Sequence, residues 1–369
     1  MWHYFPENYS WSYQIIRILG QTLYDGGEVN EILEVARRIK QGDYDSFHQE
    51  WIRLGNRTLM KANEAMDQEN FETARAAYLR AANYIRTAEF YLQPGDARKI
   101  DTYLKGIDSF RTGAAMYGDN RIKPVQIPYE ESSLPGYLFK ASSQSKGPLV
   151  IMFGGLDSTA EELYFGPAQL LNERGISLLA LDGPGQGGAL RLKHIRTRYD
   201  YEVAGTAAYE WAIKNLDVDP ERIGIMAISM GGYMVARIAA YETRFKACGI
   251  FGACYSYHEI WNKRPDDHPM ANTLKHVVGV DNMNDAREKL SHFHLNGVAA
   301  KIKIPTYVLH GEDDRQVPVE DAYKTYNELS GPRWLKVVPT SSPGSAHCQA
   351  DNFTESYSLF DWMKQQLNS

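Results

Sequence analysis

The sequence predicts an α/β protein whose mostly parallel central sheet follows an all-helical N-terminal domain. Over residues 123–369, short apolar runs alternate with segments of helical periodicity, a pattern typical of parallel strands covered by helices. Over residues 1–122, apolar and alanine residues recur at helical spacing instead. We therefore expect two domains, 1–122 and 123–369.

The N-terminal domain is predicted to consist of helices separated by turns that contain glycine or proline. Their expected ranges are 11–23, 29–40, 44–66, 70–91 and a last helix that ends near residue 117. The helix pair within 46–92 could be taken for a tetratricopeptide unit, but a repeat array needs about three such units. We interpret the domain as a helical cap or dimerisation domain, with peptide binding as the less favoured alternative.

The second domain opens with a predicted hairpin of two strands over 125–129 and 134–140. Further strands are expected at 148–153, 177–181, 222–228, 248–253, 306–310 and 334–338. The helices between and after them are expected at 161–174, 201–215, 230–241, 319–329 and 354–367. The long polar and aromatic stretch at about 255–300 interrupts this alternation. We predict that it is an insertion that forms a lid over the active site.

Composition and charge narrow the classes of function. With 40 Lys and Arg against 46 Asp and Glu, the net charge is −6, so the basic surface that nucleic-acid binding requires is not expected. No apolar run reaches the ~18 residues of a membrane span, and the N-terminus lacks the features of a signal peptide. We expect a soluble cytoplasmic protein with no nucleic-acid or membrane partner.

The cysteines Cys248, Cys254 and Cys348 follow no metal-binding spacing and are predicted to be reduced thiols. Cys348 directly follows a histidine of interest, His347, but neighbouring side chains point in different directions, so we assign it no catalytic role. No metal or cofactor is expected.

The segment 223–232, IGIMAISMGG, carries the strongest chemical signal. A β-type run ends at Ser229 and helical periodicity begins at once, with the small residues Ala227 and Gly231 two positions to either side. This spacing is typical of a nucleophile elbow, a turn so sharp that larger side chains there would collide. A serine in that turn lies at a helix N-terminus, whose dipole favours developing negative charge. An ordinary buried serine at a strand–helix turn is the alternative.

Two downstream segments supply a carboxylate and a histidine in the order that such a nucleophile requires. Within 308–318, Asp314 matches the spacing H-G-x-x-D-x-x-V-P, and Asp313 is the alternative. His347 lies in a loop rich in Pro, Gly and Ser after the last predicted strand. Because a free hydroxyl is a weak nucleophile, we predict that His347 removes the proton of Ser229 and that Asp314 orients the imidazole.

Glycines that follow the first buried parallel strand predict an oxyanion hole. In FGGLDS (153–158) they allow the backbone to approach a substrate, and the N–H groups of Leu156 and Met230 are the expected donors. The alternative is that these glycines only form a turn. A second glycine-rich turn, LDGPGQG (181–187), lacks the features of nucleotide-binding loops, and we interpret it as structural.

Together these motifs resemble those of the α/β-hydrolases with an N-terminal helical cap, a group that includes 2,6-dihydroxypseudooxynicotine hydrolase. They are also similar to those of fungal polyketide-shortening hydrolases of the yellowish-green pigment type. The resemblance covers nearly the whole chain, through DGGEVNEILEVARRI, GGLDS, LDGPGQG, AISMGG, HGEDDRQVP and SAH. Only Ala227, where the family usually has Gly, departs from the triad motifs, and both residues are small.

The resemblance implies an α/β-hydrolase fold and cleavage of a C–C bond next to a ketone. The reaction would be a retro-Claisen hydrolysis of a β-diketone or polyketide-like substrate through an acyl-enzyme. It further implies an acidic residue after the strand that follows the serine helix, for which Glu259 is the nearest match, and a solvated carboxylate of the lid is the alternative for this residue. Asp157, Tyr255 and Trp261 are the other candidate substrate-binding residues, and an aromatic content of 12% fits an aromatic pocket.

The sequence does not separate C–C hydrolysis from other reactions that proceed through the same kind of acyl-enzyme. The same triad serves esterases, lactonases and thioesterases, and also acyltransferases or cyclases of secondary metabolism. A binding module without activity would require the triad to be unassembled. We expect a small aromatic or polyketide-like substrate as the partner, and a homodimer formed through the helical domain.

Overall fold

The computed structural model describes residues 1–141 and 146–369. The chain divides into two compact units, Trp2–Lys123 and Pro124–Ser369, and Met1 groups with the second. We call them the helical unit and the sheet unit.

The helical unit follows the periodicity of its sequence. Its helices are α1 (Tyr9–Gln21), α2 (Val29–Arg38), α3 (Tyr44–Asp67), α4 (Phe71–Glu89) and α5 (Arg98–Ala115). The Asn8 and Asp43 side chains accept hydrogen bonds from backbone N–H groups at the starts of α1 and α3, at 3.1 and 3.0 Å respectively. These caps satisfy donors that a helix N-terminus otherwise leaves without a partner.

Aromatic side chains form the core of the helical unit. The ring of Trp11, which is 1% exposed, lies 5.1 Å from Phe47 and 5.9 Å from Tyr91 between centroids. The close approach of α3 and α4 depends on a glycine, because a Cβ on Gly55 would lie 2.6 Å from Cγ1 of Ile85. Burial of each such large apolar side chain stabilises the fold by about 1.5–3 kcal/mol.

The sheet unit contains one eight-stranded sheet, and its strands lie in the order β1-β2-β4-β3-β5-β6-β7-β8. They are β1 (Ile122–Tyr129), β2 (Ser132–Phe139), β3 (Gly147–Phe153), β4 (Ser177–Leu181), β5 (Val218–Ile228), β6 (Ala247–Phe251), β7 (Thr306–Gly311) and β8 (Arg333–Val338). Strands β3 to β8 are mutually parallel, whereas β2 pairs antiparallel with β4. The predicted mostly parallel sheet is confirmed. Parallel strands place their carboxyl ends, and the loops that follow them, at one edge of the sheet.

Helices cover the sheet and connect its strands. They are α6 (Pro167–Glu173), α7 (Gly187–Arg191), α8 (Glu202–Asn215), α9 (Gly231–Tyr241), α10 (Tyr257–Asn262), α11 (Ala271–Val278), α12 (Met283–Lys289), α13 (Val319–Glu328) and α14 (Tyr357–Leu367). The continuous helix predicted over 161–174 is wrong. A 3-10 turn, Ala160–Tyr164, precedes α6, because Gly166 has a φ of 134° and Pro167 starts a new helix.

The segment between β6 and β7 is the stretch expected to be an insertion. It contains α10, α11 and α12, and an isolated bridge joins Ser256 to His294. Its apolar side chains, among them Trp261 and Leu274, belong to the core of the sheet unit. The insertion is therefore a packed part of the sheet unit, and its role as a lid stays a prediction.

Candidate active site

Ser229 occupies a sharp turn between β5, which ends at Ile228, and α9, which begins at Gly231. Its φ is 64°, a left-handed conformation that is uncommon for a residue with a side chain and costs about 1–3 kcal/mol. Two backbone hydrogen bonds hold the turn. The Ser229 N–H donates to the Phe251 carbonyl at 2.8 Å, and the Gly232 N–H donates to the Ser229 carbonyl at 2.7 Å.

The small residues around Ser229 have a steric origin. A Cβ on Gly231 would lie 2.7 Å from the Cβ of Ala227 and 2.6 Å from the carbonyl oxygen of Gly154. A Cβ atom does not come this close to atoms to which it is not bonded, so Gly231 cannot carry a side chain without a shift of the backbone. A larger side chain at Ala227 would enter the same space.

The side chains of Ser229, His347 and Asp314 form a hydrogen-bonded chain, although they come from three loops at the carboxyl edge of the sheet. Nε2 of His347 lies 2.8 Å from Oγ of Ser229, and Nδ1 lies 2.6 Å from Oδ2 of Asp314. A Ser-His-carboxylate triad requires this arrangement, in which one imidazole nitrogen faces the hydroxyl and the other faces the carboxylate. The structure thus brings together the three residues expected to carry the chemistry.

The backbone of its own loop holds Asp314 in place. Oδ1 accepts hydrogen bonds from the N–H groups of Gln316 (2.8 Å) and Val317 (2.9 Å), which leaves Oδ2 for His347. Burial raises the pKa of Asp314, but the charge and hydrogen bond of His347 outweigh it and lower the pKa below its usual value. Asp313, the alternative acid, has a side chain that is 38% exposed and is not part of this chain of hydrogen bonds.

The imidazole of His347 is buried and strongly basic. Burial lowers its pKa, yet the negative charge of Asp314, with smaller contributions from Cys348, raises the pKa to about 10. An imidazole with a raised pKa holds a proton firmly. His347 can therefore accept the hydroxyl proton of Ser229 only while the imidazole is neutral.

Backbone contacts fasten the loop of Asp314 to the loop of His347. The Asp313 N–H donates to the Ser345 carbonyl at 3.0 Å, and a Cβ on Gly311 would lie 2.2 Å from that same oxygen. Only a glycine at position 311 allows the two loops to approach this closely. The glycine of the HGxxD motif therefore brings the acid and the base together.

His310 has a structural role at the end of β7. Its Nδ1 accepts a hydrogen bond from the Ala253 N–H at 3.1 Å, so its Nε2 carries the proton that faces the Val317 carbonyl at 3.0 Å. The side chain is fully buried and ties the end of β6 to the loop of Asp314.

The two expected oxyanion donors lie on either side of Ser229. Met230 follows it directly, and the residue before Leu156 packs against it, since a Cβ on Gly155 would lie 2.8 Å from Cβ and 3.2 Å from Oγ of Ser229. Within residues 1–141 and 146–369, the backbone N–H groups of Leu156 and Met230 donate to no acceptor. Both groups are thus available to an oxygen bound beside Ser229.

Asp157, a candidate substrate-binding residue, pairs with the protein itself. Its carboxylate lies 2.7 Å from Nη1 of Arg191, and the two side chains are 4% and 2% exposed. The φ of Asp157 is 54°, a left-handed conformation that is uncommon for a residue with a side chain. The ion pair fixes the loop beyond Leu156, and a contact of Asp157 with a substrate stays a prediction.

Tyr255 and Trp261 are core residues of the insertion. The Tyr255 hydroxyl donates to Oε1 of Glu328 at 2.6 Å. Trp261 is fully buried, and its ring lies 5.3 Å from that of His268. The structure does not bring either side chain into the hydrogen-bonded chain of Ser229.

Glu259 also lies apart from that chain. It is at the first turn of α10, where its N–H donates to Oγ of the capping residue Ser256 at 3.2 Å. Its side chain is 52% exposed and lies 3.7 Å from Nζ of Lys324. The carboxylate thus faces solvent, as the alternative of a solvated carboxylate predicts, and a part for Glu259 in catalysis stays a prediction.

Cys348 is a neighbour of the site that sequence reasoning missed. Its buried Sγ lies 3.5 Å from Nε2 of His347 and 3.7 Å from the Phe251 carbonyl oxygen. A left-handed φ of 50° at Cys348 turns the side chain back toward the preceding residue. No sequence pattern signals this conformation at a cysteine. The adjacent side chains of His347 and Cys348 were expected to diverge, but they approach each other.

The described part of the chain offers neither a metal site nor a membrane-spanning helix. No group of three His, Cys, Asp or Glu side chains in it could hold a metal ion. None of its helices combines the length and the apolar character that a membrane crossing requires.

Several curated fungal hydrolases have similar sequences. "Hydrolase LUC6" of a Fusarium species is 36% identical over 371 residues, covering 88% of this chain and 87% of the relative. "Hydrolase acrC" of Aspergillus aculeatus is 29% identical over 364 residues, covering 85% and 84%. "20-hydroxy-prefusarin hydrolase FUS2" of Gibberella moniliformis is 36% identical over 248 residues, covering 64% of this chain and 59% of the relative.

Solved structures and a family model agree with this similarity. The crystal structure of 2,6-dihydroxy-pseudo-oxynicotine hydrolase matches with a TM-score of 0.81 at 24% identity and covers 95% of both chains, which shows a shared α/β-hydrolase fold. The family model described as "Esterase FrsA-like" matches residues 8–304, well over half of the sequence. The chain therefore belongs to the FrsA-like esterase family of α/β-hydrolases.

Proposed function

We propose that this protein is a serine hydrolase that forms an acyl-enzyme on Ser229. The supporting observation is the chain of hydrogen bonds from Ser229 through His347 to Asp314, at 2.8 and 2.6 Å. In the proposed reaction His347 takes the hydroxyl proton while Oγ attacks a carbonyl carbon. The N–H groups of Leu156 and Met230 then stabilise the oxyanion. Water, activated by His347, finally releases the acid.

The proposed substrate class is a β-diketone or polyketide-like ketone, cleaved at the C–C bond next to the attacked carbonyl. Collapse of the tetrahedral adduct breaks this bond, and the electron pair leaves on an enolate. Because Glu259 faces solvent, we assign the proton that the enolate receives to the imidazolium of His347. A named 20-hydroxy-prefusarin hydrolase among the relatives, and the fold shared with a pseudo-oxynicotine hydrolase, support this class.

Ester hydrolysis is the second candidate, because the family is described as esterases. The same nucleophile and oxyanion donors would serve, and an alkoxide leaving group needs only the proton of His347. The products separate the candidates. An ester gives an acid and an alcohol, a β-diketone gives an acid and a ketone, and acyl transfer or cyclisation incorporates no water.

The test compares wild-type protein with Ser229→Ala, using a fluorophosphonate probe, p-nitrophenyl acetate and benzoylacetone in ¹⁸O-labelled water. We expect covalent labelling and turnover only when Ser229 is present, with a loss in kcat of up to about 10⁶-fold in the variant. The matched control is Ser132→Ala, which removes an exposed hydroxyl at the start of β2. Equal labelling of Ser229→Ala would refute the serine mechanism. Cleavage of the ester alone would keep that mechanism and reject C–C hydrolysis.

A further inference from the structure

The side-chain amide of Gln186, in the glycine-rich turn 181–187, is buried against the loop that precedes Leu156. Gln186 is 1% exposed. Its Nε2 donates to the carbonyl oxygens of Gly154 (2.8 Å) and Gly155 (2.9 Å), while its Oε1 accepts a hydrogen bond from the Gly183 N–H at 3.1 Å. Both donor hydrogens and the acceptor of this amide are thus used inside the protein.

One of these bonds holds the peptide unit that carries an oxyanion donor. The carbonyl of Gly155 and the N–H of Leu156 belong to the same planar trans peptide, so they point in opposite directions. A hydrogen bond that fixes the Gly155 oxygen therefore fixes the direction of the Leu156 N–H. It also polarises that N–H, because hydrogen bonds in a chain strengthen one another.

We propose that Gln186 is a positioning residue that aims the Leu156 N–H at the oxyanion of the reaction. The inference rests on the proposed function of Ser229. Gln186 belongs to the motif LDGPGQG, for which the sequence alone indicated only a structural turn. Gln186 itself touches no reacting atom and acts through the 155–156 peptide.

The rest of the turn is anchored firmly enough for this task. The Asp182 carboxylate accepts hydrogen bonds from the N–H groups of Ala160 and Gly188, each at 2.7 Å. The Gly187 N–H donates to the Ser158 carbonyl at 2.8 Å. With the Asp157–Arg191 pair on the far side, the loop that carries Leu156 is held at both ends.

The experiment compares Gln186→Met, which keeps the length of the side chain and removes its donors, with Asn172→Leu. Asn172, in α6 and outside the loops that carry the triad, makes a similar pair of bonds, since its Nδ2 donates to the carbonyls of Phe139 and Ile176 at 3.2 and 3.1 Å. Steady-state kinetics with p-nitrophenyl acetate and inhibition by a trifluoromethyl ketone are measured for each. We expect kcat of Gln186→Met to fall about 10- to 100-fold, less than the 10²- to 10³-fold cost of removing a donor outright. Its KM should stay within about 3-fold, because the donor acts on the oxyanion and not on the bound ester.

Inhibition should weaken by the same factor as kcat, since the ketone adduct carries the oxyanion, and Asn172→Leu should change kcat less than about 2-fold. A Gln186→Met variant with wild-type kcat would overturn the proposal, as would equal losses in both variants. If Gln186→Met does not fold, the crystal structure of wild-type protein with the ketone bound decides. An oxyanion on Leu156 N–H with Gln186 still on Gly155 supports the proposal, and any other contact rejects it. Failure of the proposed function would be seen separately, as labelling of Ser229→Ala.

Discussion

The Sγ atom of Cys348 lies 3.5 Å from Nε2 of His347, the same nitrogen that faces Oγ of Ser229 at 2.8 Å. A thiol and a hydroxyl therefore approach one atom of the imidazole, while Asp314 approaches the other nitrogen. Because Cys348 adds to the effects that raise the pKa of His347, the basicity of this histidine depends on two neighbours.

The pH dependence of activity tests the contribution of Cys348. His347 accepts a proton only when neutral, so activity is lost as the pH falls through its raised pKa. Cys348→Ala should lower that pKa and move the acid limb of the kcat/KM profile to lower pH, with kcat at alkaline pH within about 10-fold of wild type. Cys248→Ala, which removes another buried thiol, is the control. An acid limb that stays in place in Cys348→Ala would contradict the prediction.

Asp314→Asn should reduce kcat far more than Cys348→Ala does. The amide keeps the shape of the side chain but favours the wrong tautomer of His347, and we expect kcat to fall by about 10⁴-fold. Loss of the negative charge should also shift the acid limb to lower pH, because Asp314 raises the pKa of His347. Asp313→Asn alters the neighbouring, partly exposed carboxylate and should leave kcat nearly unchanged. The reverse ranking, measured with one ester, would reassign the acid.

Gly155→Ala should push the loop that carries Leu156 away from Ser229. The added methyl group would lie 2.8 Å from Cβ of Ser229 and 3.1 Å from the Ile228 carbonyl oxygen, and backbone atoms cannot yield cheaply. We expect a kcat loss of about 10²-fold or more and a lower free energy of unfolding by about 1–3 kcal/mol. Gly147→Ala, at the start of β3, meets no atom within 4 Å and serves as the control in activity assays and urea unfolding. Wild-type kinetics in Gly155→Ala would show that the loop is not where the structure has it.

Glu259→Gln should leave catalysis almost intact. The carboxylate is 52% exposed and its cationic neighbour, Lys324, lies 3.7 Å away on the surface, so the pair contributes about 1 kcal/mol or less. We expect kcat with benzoylacetone within about 3-fold of wild type, in line with the small effect of surface substitutions. A selective loss with the diketone, and none with the ester, would restore Glu259 as a proton donor.

The sheet and the three residues of the hydrogen-bonded chain could be predicted because both depend on repeating rules. Apolar runs such as 148–153 locate parallel strands, and parallel strands end at one edge. Ser229, Asp314 and His347 each follow a strand, so their loops meet without any knowledge of side-chain directions. The left-handed turn at Ser229 could also be anticipated, since the small residues that it requires are visible in the sequence.

The roles of residues outside the hydrogen-bonded chain could not be predicted in the same way. Whether Glu259 faces solvent or the interior depends on the packing of α10, which no local pattern encodes. Cys348 has a left-handed backbone conformation that its sequence does not signal. Gln186 was visible in its motif, but its task depends on which carbonyls lie opposite, and Gly154 is 32 residues away in sequence.

The order of the strands has a consequence for biosynthesis. The Ser229 turn is completed by Phe251 on β6, and His347 comes almost a hundred residues later, after β8. A chain emerging from the ribosome therefore exposes the serine well before its base exists, and until then that hydroxyl is an ordinary alcohol. The reaction proposed for Ser229 therefore has no general base until the chain has been synthesised beyond His347.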